Sequence, residues 1–169
     1  MKFAICNEVF EGWSIDDSIK FVAETGYDAI EIAPFTLAQY VTEVSVVERH
    51  RIRDAAADNG IGISAVHWVL IKTEGMYMTH PDPEIRRKTA DYFCELVRFC
   101  ADLGGEAIVV GSPKQRNLLP GVSFEQAWEL ARQTFAPSIK MAEDKAVTIC
   151  FEPLAPSETN FVNTAEKGI

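Results

Sequence analysis

Positive charge is scarce in this chain. Sixteen Lys and Arg stand against 25 Asp and Glu, with three His, giving a formal net charge of −9 over 169 residues. A protein that grips a nucleic-acid backbone needs a basic face, so this balance argues against a nucleic-acid partner. Long apolar runs are also missing: none approaches the length of a membrane-spanning helix. The N-terminus, Met1-Lys2 followed at once by a strand-like pattern, lacks the three-part build of a secretion signal. No membrane partner is expected, and the cytoplasm is the expected compartment. No Cys-x-x-Cys occurs. Cys6 and Cys150 sit in apolar runs, while Cys94 and Cys100 lie on different faces of a helical pattern. Buried free thiols are the expectation, not a zinc knuckle or a disulfide framework. GxGxxG after the first strand and GxxxxGK[ST] anywhere are absent too, so neither phosphate-cradling version of an open α/β sheet is supported.

What is present is one unit used repeatedly. Apolar β-rich runs occupy residues 3–10 (FAICNEVF), 29–33 (AIEIA), 62–70 (GISAVHWVL), 107–111 (AIVVG) and 147–151 (VTICF). Helix starts follow them: Ser14 with Asp17, Ser45 with Glu48, Asp82-Pro83-Glu84, and Ser123 with Gln126, each a cap with its partner in the first turn. Gly26, Asn59-Gly60 and Gly104-Gly105 supply stops. Between Asp82 and Leu103 the residues Ile85, Tyr92, Phe93, Leu96, Val97, Cys100 and Leu103 fall on one stripe. Pro137 should break or kink the fourth helix. The strand runs are apolar throughout, the pattern of strands covered on both faces. Repeated right-handed βα crossovers give a parallel sheet. Asn163-Thr164-Ala165-Glu166 announces a fifth helix, of which the sequence holds about one turn. The expected fold is α/β: a single domain over residues 1–169, carrying about five of the eight (β/α) units of a TIM barrel, an incomplete barrel.

The pattern converges on VTICFEPLAPSETNFV, residues 147–162. A buried strand ends on an acid, Glu152, and Pro153 stops it. The C-terminal tip of a parallel strand is where barrel enzymes place their chemistry. A strand-end surface acid is the plainer reading of the same residue.

Four segments carry a resemblance: HWVL at residues 67–70, TEGMYMTHPDPEIRRKT at 73–89, GSPKQR at 111–116 and FEPL at 151–154. Together they resemble the sugar phosphate isomerase/epimerase family of xylose isomerase-like TIM barrels. That superfamily also holds tagatose/psicose 3-epimerases, inosose dehydratase-type enzymes and the endonuclease IV type of nuclease. The resemblance runs over essentially the whole chain. It implies an isomerase or epimerase acting on a sugar, sugar phosphate or polyol by metal-assisted proton abstraction next to a carbonyl. By that resemblance Glu152 is both a divalent-metal ligand and an acid/base carboxylate, and Glu158 contacts sugar hydroxyls and metal-bound water. The other donors the resemblance implies, an Asp, a His and a second Glu, come from the sixth to eighth strands. An oxygen-rich set suits Mn²⁺ or Mg²⁺, with Co²⁺ or Zn²⁺ as alternatives.

Further candidates surround this pair. His67 could donate to sugar hydroxyls with Trp68 as an apolar floor, or be a satisfied core His. Lys114 and Arg116 form a basic loop suited to an anionic group, or are ordinary surface charges. Asn7 is a candidate substrate contact at the end of the first strand. Glu31 reads equally as a structural or a catalytic acid. His80 could belong to a lid, and His50 should be solvated. Two other functions stay open. A metal-dependent nuclease of the endonuclease IV kind needs more His than three and a basic face. A non-catalytic half-barrel would self-associate through the exposed edges of its first and fifth strands.

Overall fold

The structure is a computed structural model that describes residues 1–168. Five strands, β1 (Ala4–Cys6), β2 (Ala29–Ile32), β3 (Gly62–Val66), β4 (Ala107–Val110) and β5 (Thr148–Phe151), alternate with four helices. These are α1 (Ile15–Thr25), α2 (Val46–Asp58), α3 (Pro83–Asp102) and α4 (Phe124–Lys145). The strands form one sheet in the order β1-β2-β3-β4-β5, every pairing parallel. This is the expected run of five barrel units.

Helix starts follow from local chemistry. Ser14 accepts from the Asp17 amide at 3.1 Å, Ser45 from Glu48 at 3.2 Å and Asp82 from Glu84 at 2.9 Å. Ser123 and Gln126 cap each other reciprocally, at 3.2 and 2.9 Å. Each bond satisfies an amide that a helix start would otherwise leave bare. Gly26 closes α1 at φ 92°, a conformation that costs a residue with a Cβ. Pro137 does not end α4, which continues through it to Lys145. The proline lies on the exposed side, as does Gln133, whose carbonyl it leaves without an amide. Water reaches that carbonyl, so the helix survives.

The sheet corrects the expectation of two covered faces. Burial alternates along β2 and β4, where Ile30, Ile32, Ile108 and Val110 are fully buried and their neighbours only partly so. The helices cover one face, the convex one, where these residues meet Ile19, Val22, Ile52, Phe93, Leu96 and Phe99. The concave face carries mostly small or polar groups, Ala29, Glu31, Ala65, Ala107, Thr148 and Cys150, with Val109 beside them. Small side chains kept the strand runs looking uniformly apolar. The thiols differ accordingly: all four are free, but only Cys100 is buried, Cys6 and Cys94 are half-buried and Cys150 is exposed.

Strand ends also differ from expectation. β1 stops at Cys6 because Asn7 turns the chain: its Oδ1 accepts from the Ala33 amide and its Nδ2 donates to Thr36 Oγ1, both at 2.8 Å. A turn of 3₁₀ helix follows over Asn7–Val9. β3 stops at Val66, four residues earlier than its apolar run, and Trp68 then takes a left-handed φ of 57°. The segment from Asn163 to Glu166 holds a single 3₁₀ turn, Ala165–Lys167, with no side-chain cap. Arg49, on α2, lies buried. It donates to the Val44 and Val41 carbonyls at 2.8 and 2.9 Å and pairs with Asp102 at 3.0 Å, tying α2 to α3. Its neighbour His50 is half-buried.

Candidate active site

Parallel strands in consecutive order bring their C-terminal ends to one rim. Two of these ends run one residue further by backbone hydrogen bonding. His67 donates its amide to Ile32 at 3.0 Å, and Glu152 donates its own to Val110 at 3.1 Å. Pleat parity then turns both side chains to the concave side, along with Cys6 and Glu31, which face each other in register across β1 and β2.

The imidazole of His67 stands between two carboxylates. Its Nδ1 lies 3.4 Å from Glu31 Oε2, and its Nε2 lies 3.6 Å from Glu152 Oε2. The side chains of His67, Glu31 and Glu152 keep 24%, 28% and 38% of their surface exposed, so a small molecule reaches all three. Glu31 raises the His67 pKa above its ordinary value; partial burial opposes it and Glu152 adds to the rise. Cys6 joins this group, with its thiol pushed up to about 12 by burial and by the neighbouring carboxylate of Glu8.

Glu152 is positioned from below and behind. A Cβ on Gly111 would come within 2.6 Å of Glu152 Oε2, so the carboxylate occupies space that only glycine leaves open. Its carbonyl accepts from Arg116 Nη1 at 2.7 Å. Arg116 is fully buried and also donates to the carbonyls of Gly111 at 3.2 Å and Val162 at 3.0 Å. Its guanidinium lies 4.8 Å from the centre of the Phe151 ring. Burial lowers its pKa to about 10, which leaves it charged at neutral pH, while Glu152 and Glu158 act in the opposite sense. Instead of presenting its charge to an anion, Arg116 pins the ends of β4 and β5 to the 153–162 loop.

Other sequence candidates land in distinct places. Trp68 stands at the rim with its ring 5.9 Å from that of His67. Its loop is held to the next one, since the Leu70 amide donates to Ser112 Oγ at 3.3 Å and the Met78 amide to the Gln115 carbonyl at 2.8 Å. Lys114 is exposed in the 3₁₀ turn Pro113–Gln115. Glu158 is exposed and folds back on its own loop, its carboxylate accepting from the Ala155 amide at 3.3 Å. Asn7 is buried with both ends of its amide used, so it shapes the rim without facing a ligand. His80 caps the approach to α3, accepting from the Asp82 amide at 3.0 Å. Cys6 was not singled out beside Glu31 in the sequence, because the register that pairs them across β1 and β2 is set by the sheet.

Chemically, the rim offers a protonatable imidazole, two carboxylates that it neutralises in part, and an indole beside them. Such a group binds hydroxyls and moves protons. The Glu152 carboxylate is more than a third exposed on the concave side, so an ion can reach it as a single donor.

A family profile described as Xylose isomerase-like TIM barrel matches residues 19–169. No curated protein sequence matches significantly. Among solved structures, a D-psicose 3-epimerase crystallised in the presence of D-fructose superposes with a TM-score of 0.84 at 23% identity, covering 100% of this chain and 58% of its own. A D-psicose 3-epimerase with D-tagatose from Clostridium cellulolyticum H10 gives 0.81 at 24%, with the same coverage of 100% and 58%. A 3-keto-D-glucoside 4-epimerase from E. coli gives 0.77 at 17%, covering 99% and 61%. At these identities the likeness is one of fold, and the chain spans about three-fifths of each neighbour's length.

Proposed function

The chain belongs to the xylose isomerase-like TIM barrel family, and from that premise we propose that it supplies the first five strand ends of a cytoplasmic isomerase or epimerase acting on a small sugar, sugar phosphate or polyol. The observation that carries this reading is the Glu31–His67–Glu152 line on the concave rim, with Glu152 at the tip of β5. The solved neighbours named as sugar epimerases add weight through their fold.

In this proposal Glu152 removes the proton from a carbon next to a carbonyl. The C–H bond breaks, its proton goes to the Glu152 carboxylate and its electron pair into an enediolate; a second carboxyl, protonated at the outset and from a strand after the fifth, gives its proton to the opposite face. Protonated His67 donates to substrate oxygens, and Trp68 offers its indole face to the ring carbons. Glu158 and Lys114, on exposed loops, are placed to meet the polar or anionic end of the substrate. Glu152 would also hold a divalent cation, Mn²⁺ or Mg²⁺ with Co²⁺ or Zn²⁺ as alternatives, whose chemistry is Lewis-acid polarisation of carbonyl and hydroxyl oxygens. Activity is expected to require donors beyond these five strands. Among the described residues no helix is long and apolar enough to cross a membrane.

The test is solvent deuterium exchange into D-fructose and D-tagatose, followed by NMR with Mn²⁺ present, on the polypeptide as its gene encodes it. Exchange next to the carbonyl is expected, with a loss of about 10²-fold or more in Glu152→Gln. Absence of exchange into ketoses and ketose phosphates alike, or full activity in the variant, overturns the reading.

We also propose self-association through the sheet edges. β1 and β5 each pair on one side only among the described residues, and parallel edges of this kind invite a second copy. A strictly monomeric mass by light scattering at high concentration overturns that proposal. Nothing in the site favours a nuclease, since β4 ends in Gly111-Ser112 without a His.

A further inference from the structure

Three metal-ligand side chains of different chemistry meet on the concave side of β1, β2 and β3. The Cys6 thiol, a Glu31 carboxylate oxygen and a His67 ring nitrogen all lie within 4.8 Å of one another, each residue half-buried. None of them is delivered by a flexible loop. Cys6 and Glu31 are in-register partners across β1 and β2, and His67 is tied to β2 through its amide. Backbone hydrogen bonding therefore fixes the donors before any ligand arrives.

We propose that Cys6, Glu31 and His67 form a binding site for a thiophilic divalent cation of the zinc class, separate from any cation held by Glu152. This proposal does not require the sugar chemistry above, although the two share His67, which with the cation bound keeps only its Nε2–H to donate. The donor set is one sulfur, one nitrogen and one oxygen. Zinc accepts that mixture at about 2.3 Å to sulfur and about 2.0 Å to nitrogen or oxygen, leaving a fourth position open. Mg²⁺ and Mn²⁺ prefer oxygen throughout.

Two further observations point the same way. The Nδ1 atom of His67 faces Glu31 while Nε2 faces Glu152. With Nδ1 and Glu31 on the cation, Nε2–H is left to donate to Glu152. A carboxylate behind a metal-bound imidazole is the arrangement that orients such ligands and strengthens their binding. Secondly, Glu8 follows two residues after Cys6 and its Oε2 is buried with no hydrogen-bond partner among the described residues. A buried carboxylate oxygen without a protein donor is costly, and a dication bound at the neighbouring Cys6 would offset part of that cost. The guanidiniums of Arg49 and Arg116 are committed to carbonyls and to Asp102, so neither supplies the charge.

The experiment is titration of the purified, reduced chain with Co²⁺ alone, followed by absorbance, with Zn²⁺ then added in competition. A thiolate-to-cobalt charge-transfer band in the near ultraviolet is expected, together with the strong visible bands of a four-coordinate site, and Zn²⁺ should displace both. Cys6→Ser should remove the charge-transfer band and weaken binding at least about tenfold. Cys150→Ser should leave it intact. Glu152→Gln should keep the band while weakening binding by about tenfold, as loss of an orienting carboxylate does. Circular dichroism of each variant establishes that it is folded. No charge-transfer band in the unmodified chain, or a band that survives Cys6→Ser, overturns the proposal. A band lost in Glu152→Gln assigns the cation to the β5 tip and overturns the separate site. Deuterium exchange reports on Glu152 and the cobalt band on Cys6, so the two readings fail separately.

Discussion

The two faces of the sheet are made from alternate residues of the same strands, yet they do different work. On β2, Ile30 and Ile32 are fully buried on the convex side, while the side chain of Glu31 between them keeps 28% of its surface exposed on the concave side. The convex face is close-packed apolar surface, and burial of that kind dominates folding energy. The concave face carries carboxylates, an imidazole and a thiol in partial contact with water, where individual interactions contribute little to stability. Stability and chemistry are thus separated by a shift of one residue. A substitution is read first by its parity.

The largest effect that tests this division is on the convex side. Phe93→Ala removes a ring with no exposed surface that packs 4.5 Å from the Phe135 ring, and denaturant unfolding should show a loss of about 3–5 kcal/mol. Its concave counterpart, Glu31→Gln, should cost under about 1 kcal/mol. Equal losses would erase the distinction between the faces. Arg116→Ala falls between them, because it leaves the carbonyls of Gly111, Glu152 and Val162 without their donor. The expected loss is about 2–3 kcal/mol, with hydrogen exchange rising first near Val162.

Smaller in energy and sharper in meaning is Gly111→Ala. The new methyl lies where Glu152 Oε2 now sits, so the carboxylate swings away at a cost below about 1 kcal/mol. Proton exchange into the substrate should fall by about 10²-fold, because a displacement of an ångström is enough. A large loss of stability with unchanged exchange would show the opposite division.

The smallest effect is a titration. His67 holds its proton more tightly folded than unfolded, so its contribution to stability is complete below the ordinary imidazole range and fades as pH rises through the raised value. Glu31→Gln should lower the imidazole pKa, read by NMR, further than Glu152→Gln does. The reverse order would mean that Glu152, not Glu31, governs this histidine.

Much of this was legible in the sequence where the cause is local. The caps at Ser14, Ser45, Asp82 and Ser123 act within three residues, and all four formed as read. The five-unit repeat and Glu152 at a strand tip were equally visible. What escaped depends on distant partners. Arg116 read as an anion-binding or surface charge because the Glu152 and Val162 carbonyls it serves lie 36 and 46 residues further along. The first strand looked long because the group that bends Asn7 out of it, the Ala33 amide, is 26 residues away. The solvent-facing phase of Pro137 decided whether α4 would break, and helical periodicity alone could have supplied it.

Among the described residues, each strand pairs only with the strands before and after it in the sequence. Over these five strands, a polypeptide leaving the ribosome adds each new strand to an edge already made. Assembly over this stretch is expected to be vectorial. The Glu31–His67 half of the rim is expected to form before β5 joins it, so that Glu152 is added to an edge already made. A ribosome-tethered chain arrested after Lys145 and clear of the exit tunnel should already protect β2 and β3 amides from exchange. Unprotected amides at that length would show that the sheet closes only as a whole.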